Sequence, residues 1–218
     1  FLKSFILRYD LMIISDNEFY RKDLPIPQRV IYPSIDPLSP KNMEISEELI
    51  RKTLRKFKIP TDKPLITQVS RFDKWKDPEG VIEVFQRVKE EIDCRLVLCG
   101  SMAADDPEGM QIYNKIMNKP ATKKLIQKKD LIVLTAENQI LVNTLQRVSS
   151  VIIQKSLREG FGLTVTEALW KGTPVVASKV GGIPNQIIHE ETGFLLQPKD
   201  YAGFARVIVN LLQDPGLC

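Results

Sequence analysis

The sequence predicts an α/β fold, a doubly wound parallel sheet, on three observations. Six short runs rich in β-branched residues recur between Leu65 and Pro198, segments of helical periodicity fill the intervals, and no internal repeat or low-complexity tract breaks the alternation. At 218 residues, with 43% hydrophobic and 27% charged residues, the chain has an ordinary globular composition and the length to bury a real core.

The strands expected are LITQVS (65–70), RLVLCG (95–100), LIVLTA (131–136), VIIQKS (151–156), PVVASK (174–179) and GFLLQP (193–198). Helices are expected near 78–92, 108–128, 138–149, 163–172 and 200–213, the first with Val81, Val84, Phe85 and Val88 on one face. Right-handed crossovers place them on both sides of the sheet. Residues 1–61 read differently: YDLMIISD (9–16) is one more strand, VIYPSIDPLSP (30–40) a proline-rich extended connector, and SEELIRKTLRKF (46–57) an amphipathic helix with Ser46 at its N-cap.

Several function classes are disfavoured at once. The net charge of +4 suits an anionic ligand but is spread along the chain, so nucleic acid is not implied. The apolar runs fall far short of the roughly 20 residues needed to span a bilayer. FLKSFILRYD is too brief and too charged for a signal peptide. Cys94, Cys99 and Cys218 form neither a metal pair nor an even disulfide framework, which fits a reducing cytoplasm. No DxD-type metal motif stands in a convincing place; Asp105 and Asp106 read as N-capping residues of the following helix, and His189, the single histidine, as a structural or surface residue. Homo-oligomerisation stays open. The start without methionine and the QDPGLC end, directly after a helix pattern, suggest a fragment of a longer protein.

In an open parallel sheet, ligands bind beyond the C-terminal strand ends. After the first strand comes SRFDKWKDPEG, with Arg71 at the strand end and Lys76 in the loop. An arginine grips phosphate with two parallel hydrogen bonds, and a lysine adds a compact charge on a flexible stem. The densest segment, SLREGFGLTVTEALWKGTPVV, passes through Glu159, Gly160, Phe161 and Gly162 into a helix that begins with Leu163 and Thr164. Its glycines allow close backbone approach, and the free N–H groups of the helix start favour a diphosphate. Glu159 and Glu167 bracket the turn. Carboxylates beside a phosphate site have a natural use in accepting hydrogen bonds from ribose or hexose hydroxyls, so the pair suggests a sugar nucleotide. On spacing alone, Glu159 is equally a solvated turn residue and Glu167 a helix-face residue. GxGxxG after the first strand and GxxxxGK[ST] are both absent, against dinucleotide and P-loop readings.

The string SLREGFGLTVTEALWKGTPVVASKVGG resembles the signature of retaining family-four glycosyltransferases of the GT-B architecture, in which two glutamates are separated by seven residues, as Glu159 and Glu167 are. VSRFDKWKD resembles the same family's diphosphate-binding motif, with Arg71 and Lys76 in place; RLVLCGS, PVVAS and ETGFLL follow in order, so the likeness covers 62–215. Within the family, PSIDPLSPKN, SRFDKWKDPEG and ADDPEG look closest to the trehalose-forming members.

The resemblance implies a Rossmann-like donor-binding domain over 41–218, the C-terminal half of a GT-B enzyme, preceded over 1–40 by the tail of an N-terminal domain and the interdomain connector. It further implies a hexosyltransferase moving glucose from a nucleoside diphosphate sugar such as UDP-glucose to a sugar acceptor, glucose giving trehalose, with the acceptor held mainly by an absent N-terminal domain. Arg71, Lys76 and the helix N-terminus would stabilise the leaving diphosphate. Glu159 would hold the transferred hexose, Glu167 the ribose, and backbone from Gly160 to Thr164 the sugar and diphosphate. Thr135 would lie near the base, Gly100 and Ser101 near the ribose. No cofactor and no essential metal are implied. A nucleotide-sugar-binding module without transferase activity and a GT-B sugar-nucleotide epimerase are the alternatives; the four intact residues favour the transferase.

Overall fold

The computed structural model describes residues 2–101, 107–214 and 216. A short helix α1 (Lys3–Ile6) leads to strand β1 (Met12–Ile14), which pairs in parallel with β2 (Gln28–Val30) as a separate two-stranded sheet. The expected strand over 9–16 is therefore shorter, and the extended connector begins with a residue, Val30, that belongs to β2. Helix α2 (Glu47–Lys56) starts as its sequence demands: the Ser46 hydroxyl accepts the Leu49 N–H at 3.2 Å, and Glu47 and Glu48 sit in the positive first turn.

From there strand and helix alternate: β3 (Leu65–Val69), α3 (Pro78–Glu91), β4 (Arg95–Gly100), α4 (Pro107–Asn118), α5 (Pro120–Gln127), β5 (Leu131–Thr135), α6 (Gln139–Val148), β6 (Val151–Gln154), α7 (Leu163–Trp170), β7 (Val175–Ser178), β8 (Phe194–Leu196) and α8 (Tyr201–Gln213). One expectation fails here. The helix anticipated over 108–128 is two helices, because Pro120 pushes Lys119 out of helical space to ψ 130° and then serves as the first residue of the next helix. Asp105 and Asp106 lie outside the described residues.

The six main strands are all parallel, in the order β5-β4-β3-β6-β7-β8. The chain runs outward from β3 to one edge, returns to the middle, and runs outward again, so the order reverses between β3 and β6. That reversal opens a crevice at the C-terminal ends of these two strands. Both faces are covered. Val81, Val84, Phe85 and Val88 of α3 pack with Phe204 and Ile208 of α8 on one side of the sheet; Leu141 and Leu145 of α6 cover Leu65, Val69 and Val97 on the other, and α7 adds Val165 and Ala168 over Ile152 and Val175. The four central strands, β4, β3, β6 and β7, are buried throughout, which is why they read as largely apolar runs, while the edge strands β5 and β8 are only partly buried.

Candidate functional site

The loop after β3 is held from within. Asp73 is buried, and its Oδ1 accepts the N–H groups of Trp75 at 2.8 Å and Lys76 at 3.0 Å, while the Gln68 side-chain amide donates to the Lys76 carbonyl at 2.7 Å. Arg71 is left largely free: its side chain is 61% exposed, and its guanidinium meets Asp73 Oδ2 at 3.2 Å as an ion-pair contact without hydrogen-bond alignment. The Lys76 side chain crosses the crevice to the loop after β6, where Nζ donates to Glu159 Oε2. The same oxygen accepts from Ser156 Oγ at 3.2 Å and Gln154 Nε2 at 3.3 Å, and Oε1 faces the Gly160 N–H at 3.2 Å.

The glycine turn has the form its composition suggested. Gly162 lies at φ 87°, a left-handed conformation that glycine adopts without strain, and α7 begins behind it with no side-chain cap. Its first-turn amides thus have no acidic or hydroxyl side chain over them. Gly160 is exposed with open space where a Cβ would stand. Gly181 supports the turn from below: at φ 52°, a Cβ there would come within 1.9 Å of the Glu159 carbonyl.

Glu167, on α7, is buried and doubly held, by Lys41 Nζ at 2.8 Å from Oε1 and by Gln146 Nε2 at 3.2 Å from Oε2. Behind it, Lys171 Nζ donates to the Glu167 carbonyl at 3.0 Å, Gln146 Oε1 at 2.9 Å and Asn42 Oδ1 at 3.0 Å. Asn143 adds hydrogen bonds to the carbonyls of Pro40 and Met43. Residues 40–43 are in this way sewn onto α6 and α7. Burial lowers the Lys171 pKa to about 8, against an opposing pull from Glu167 and with help from Arg147 and Lys41. The folded pKa lies below the unfolded value of 10.5, so between the two the unfolded chain binds more protons, and stability from this group rises with pH across about 8 to 10.5. The thermal midpoint of the wild type should therefore gain on that of Lys171→Met over this window, as calorimetry at stepped pH would show; a constant difference would count against it.

At the crevice lies a cavity of about 550 Å³, a size suited to a small organic ligand. Arg71, Lys76, Gly100, Ser101 and Thr164 line it, as does Lys41. Thr135 ends β5 and is exposed; the residues that follow it, Ala136 to Gln139, form the wall. Glu159 and Glu167 stand behind the cavity, each gripping a lysine that lines it. Phe161, half-buried, faces the ring of Tyr32 with centroids 6.1 Å apart, and Leu163 is 38% exposed. Gly100 answers first to packing, since a Cβ there would stand 1.9 Å from the Ser70 carbonyl. Another cavity, of about 570 Å³, lies between Thr173, Ile187 and Phe194, away from the strand reversal.

Cys99 also lines the crevice, but burial raises its pKa to about 12, and that of Cys94 to about 11, so neither offers a thiolate. His189 accepts the Leu195 N–H through Nδ1 at 3.1 Å, in an exposed turn. Among the described residues, no group of three or more His, Cys, Asp or Glu is placed to hold a metal, and no helix is long and apolar enough to cross a membrane. Sequence reasoning missed Lys41, Gln146, Gln154 and Lys171. A signal existed for Gln154, a polar residue closing an otherwise apolar strand; Lys41 stands just past the expected connector (30–40), where no motif or periodicity marks it.

The strand order is that of a doubly wound, Rossmann-like α/β domain with a crevice at its reversal point. The family model for glycosyl transferases group 1 matches residues 50–218, and the chain belongs to that family. It is 49% identical over 199 residues to a trehalose synthase of Thermococcus litoralis, covering 90% of this chain and 48% of the relative; the chain thus spans about half the length of the curated trehalose synthases it matches. Among solved structures it is similar to Anabaena HepE in complex with UDP-glucose (TM-score 0.76, 20% identity, 99% of this chain and 57% of that one). It is also similar to the C-terminal domain of a glycosyl transferase group 1 family protein of Francisella tularensis (TM-score 0.64, 24% identity, 83% and 90%). The fold expected from sequence is the one these structures share.

Proposed function

We propose that the chain is the donor-binding half of a retaining hexosyltransferase that moves glucose from a nucleoside diphosphate sugar to a sugar acceptor, with glucose as acceptor and trehalose as product. The observation that carries this reading is the convergence of Arg71 and Lys76 from β3 with Glu159 from β6 at the strand reversal, and the bridging of both glutamates to lysines of the cavity. Arg71, Lys76 and the uncapped start of α7 stabilise charge on the departing diphosphate as the glycosyl centre becomes cation-like. Glu159 accepts hydroxyls of the hexose and Glu167 those of the ribose, with Gly160 to Thr164 against the sugar and diphosphate; Gly100 and Ser101 lie on the ribose side and the loop after Thr135 on the base side. No metal is given a role. The trehalose synthase relatives support glucose on both sides of the reaction, and HepE supports UDP-glucose as donor. The acceptor is held by a second domain that residues 1–40 lead from, and the free thiols fit a cytoplasmic setting.

Arg71→Ala combined with Lys76→Ala tests the reading. UDP affinity should fall about tenfold to a hundredfold, the scale of losing one or two charge-assisted hydrogen bonds, while the domain stays cooperatively folded with only a modest loss of thermal midpoint, because Glu159 loses Lys76 but keeps its hydrogen bonds from Ser156 and Gln154. Ligand-observed NMR and calorimetry measure both quantities. Unchanged UDP affinity moves the site elsewhere.

A further inference from the structure

Lys155 follows directly on β6 and is fully buried. Its ammonium has two neighbours: it donates to Asp77 Oδ2, and it lies 4.1 Å from the ring centroid of Tyr201 on α8. A buried ammonium is costly unless paired, so its place in the interior needs a compensating partner, and Asp77 is that partner. Asp77 is itself unusual. It caps α3 from a left-handed conformation, φ 47° and ψ 53°, which a residue with a side chain adopts at a cost. Its two carboxylate oxygens are divided, Oδ1 accepting the Gly80 N–H at 3.1 Å and Oδ2 meeting Lys155. Gly80 leaves room for the pair: a Cβ there would stand 2.2 Å from Asp77 Oδ2 and 2.6 Å from Lys155 Nζ.

Asp77 is the residue after Lys76. The Lys76 backbone is therefore fixed on one side by Gln68 and Asp73 and on the other by the conformation of Asp77, and from that backbone its side chain reaches Glu159. Neither Lys155 nor Asp77 lines the cavity. We propose that Lys155 is a positioning residue for Lys76: by pairing with Asp77 it holds the left-handed turn that aims the Lys76 ammonium across the crevice. What Lys76 then does rests on the donor-site reading; how its backbone is held does not.

Two variants of the full chain separate this role from a merely structural one. Lys155→Met strands the Asp77 carboxylate, and the turn should relax. UDP affinity should drop about tenfold, and hydrogen-exchange protection of the Lys76 amide should be lost. Adding Asp77→Gly removes the stranded charge and supplies a residue that takes positive φ freely, at the small cost of a weaker helix cap. The double variant should recover both the amide protection and UDP affinity to within about twofold of wild type. A double variant whose losses add, or that does not fold, overturns the proposal; if Lys155→Met alone does not fold, the double variant decides. If the wild-type chain binds no UDP, the donor-site reading falls, and recovery or loss of Lys76 amide protection still decides the positioning role.

Discussion

Glu159→Gln is expected to leave UDP affinity unchanged or slightly raised while UDP-glucose affinity falls about tenfold or more, and Glu167→Gln is expected to weaken both ligands alike. A charge-assisted hydrogen bond is worth roughly 1.5 to 3 kcal/mol, so each loss is at least of that order. The difference follows from what each carboxylate touches. Glu159 neutralises Lys76, so removing its charge frees that lysine for the diphosphate, and the penalty appears only when a hexose is present. Glu167 is held by Lys41 and Gln146, its proposed partner is the ribose, and ribose is common to both ligands. Four affinities, two ligands against two variants, are needed. Matched losses of UDP binding would contradict the division of roles.

The 218-residue chain by itself is expected to unfold in one cooperative thermal transition and to show no detectable transfer of glucose from UDP-glucose to glucose. Its parallel sheet is covered on both faces by its own helices, so it owns a complete core. On the proposed reading, however, the second wall of the crevice belongs to an acceptor domain. Transfer needs both substrates in near-attack geometry with water excluded, and the chain spans only about half the length of its trehalose synthase relative. Glycoside synthesis by this chain alone, read by chromatography of the products, would show that both walls are already present.

Much of this was legible because the physics is local. The central strands of the main sheet are buried on both sides and so announce themselves as apolar runs, and the strand-end rule then directs attention to Arg71, Lys76 and the Glu159 turn. What escaped depends on contacts distant in sequence. Lys41 reaches Glu167 across more than a hundred residues of chain, and Lys155 meets Asp77 across 78; neither pairing leaves a periodic mark. The break at Pro120 was local and could have been read, since the residue before a proline is driven out of helical space. The Asp77 turn was harder, because no glycine stands at the position that needs positive φ.

The strand order bears on how the molecule assembles. β3 joins β4 through five register pairs, but it meets β6 through only two, Ile66 with Val151 and Thr67 with Ile152, and those partners are far apart along the chain. Each half of the sheet is built from near neighbours, whereas the junction between halves must close a long loop and is expected to form last. Lys76 and Glu159 stand on opposite sides of that seam. On the donor-site reading, a nucleotide sugar seated there would fasten the two halves together, so its binding energy would add to the folding equilibrium at the seam.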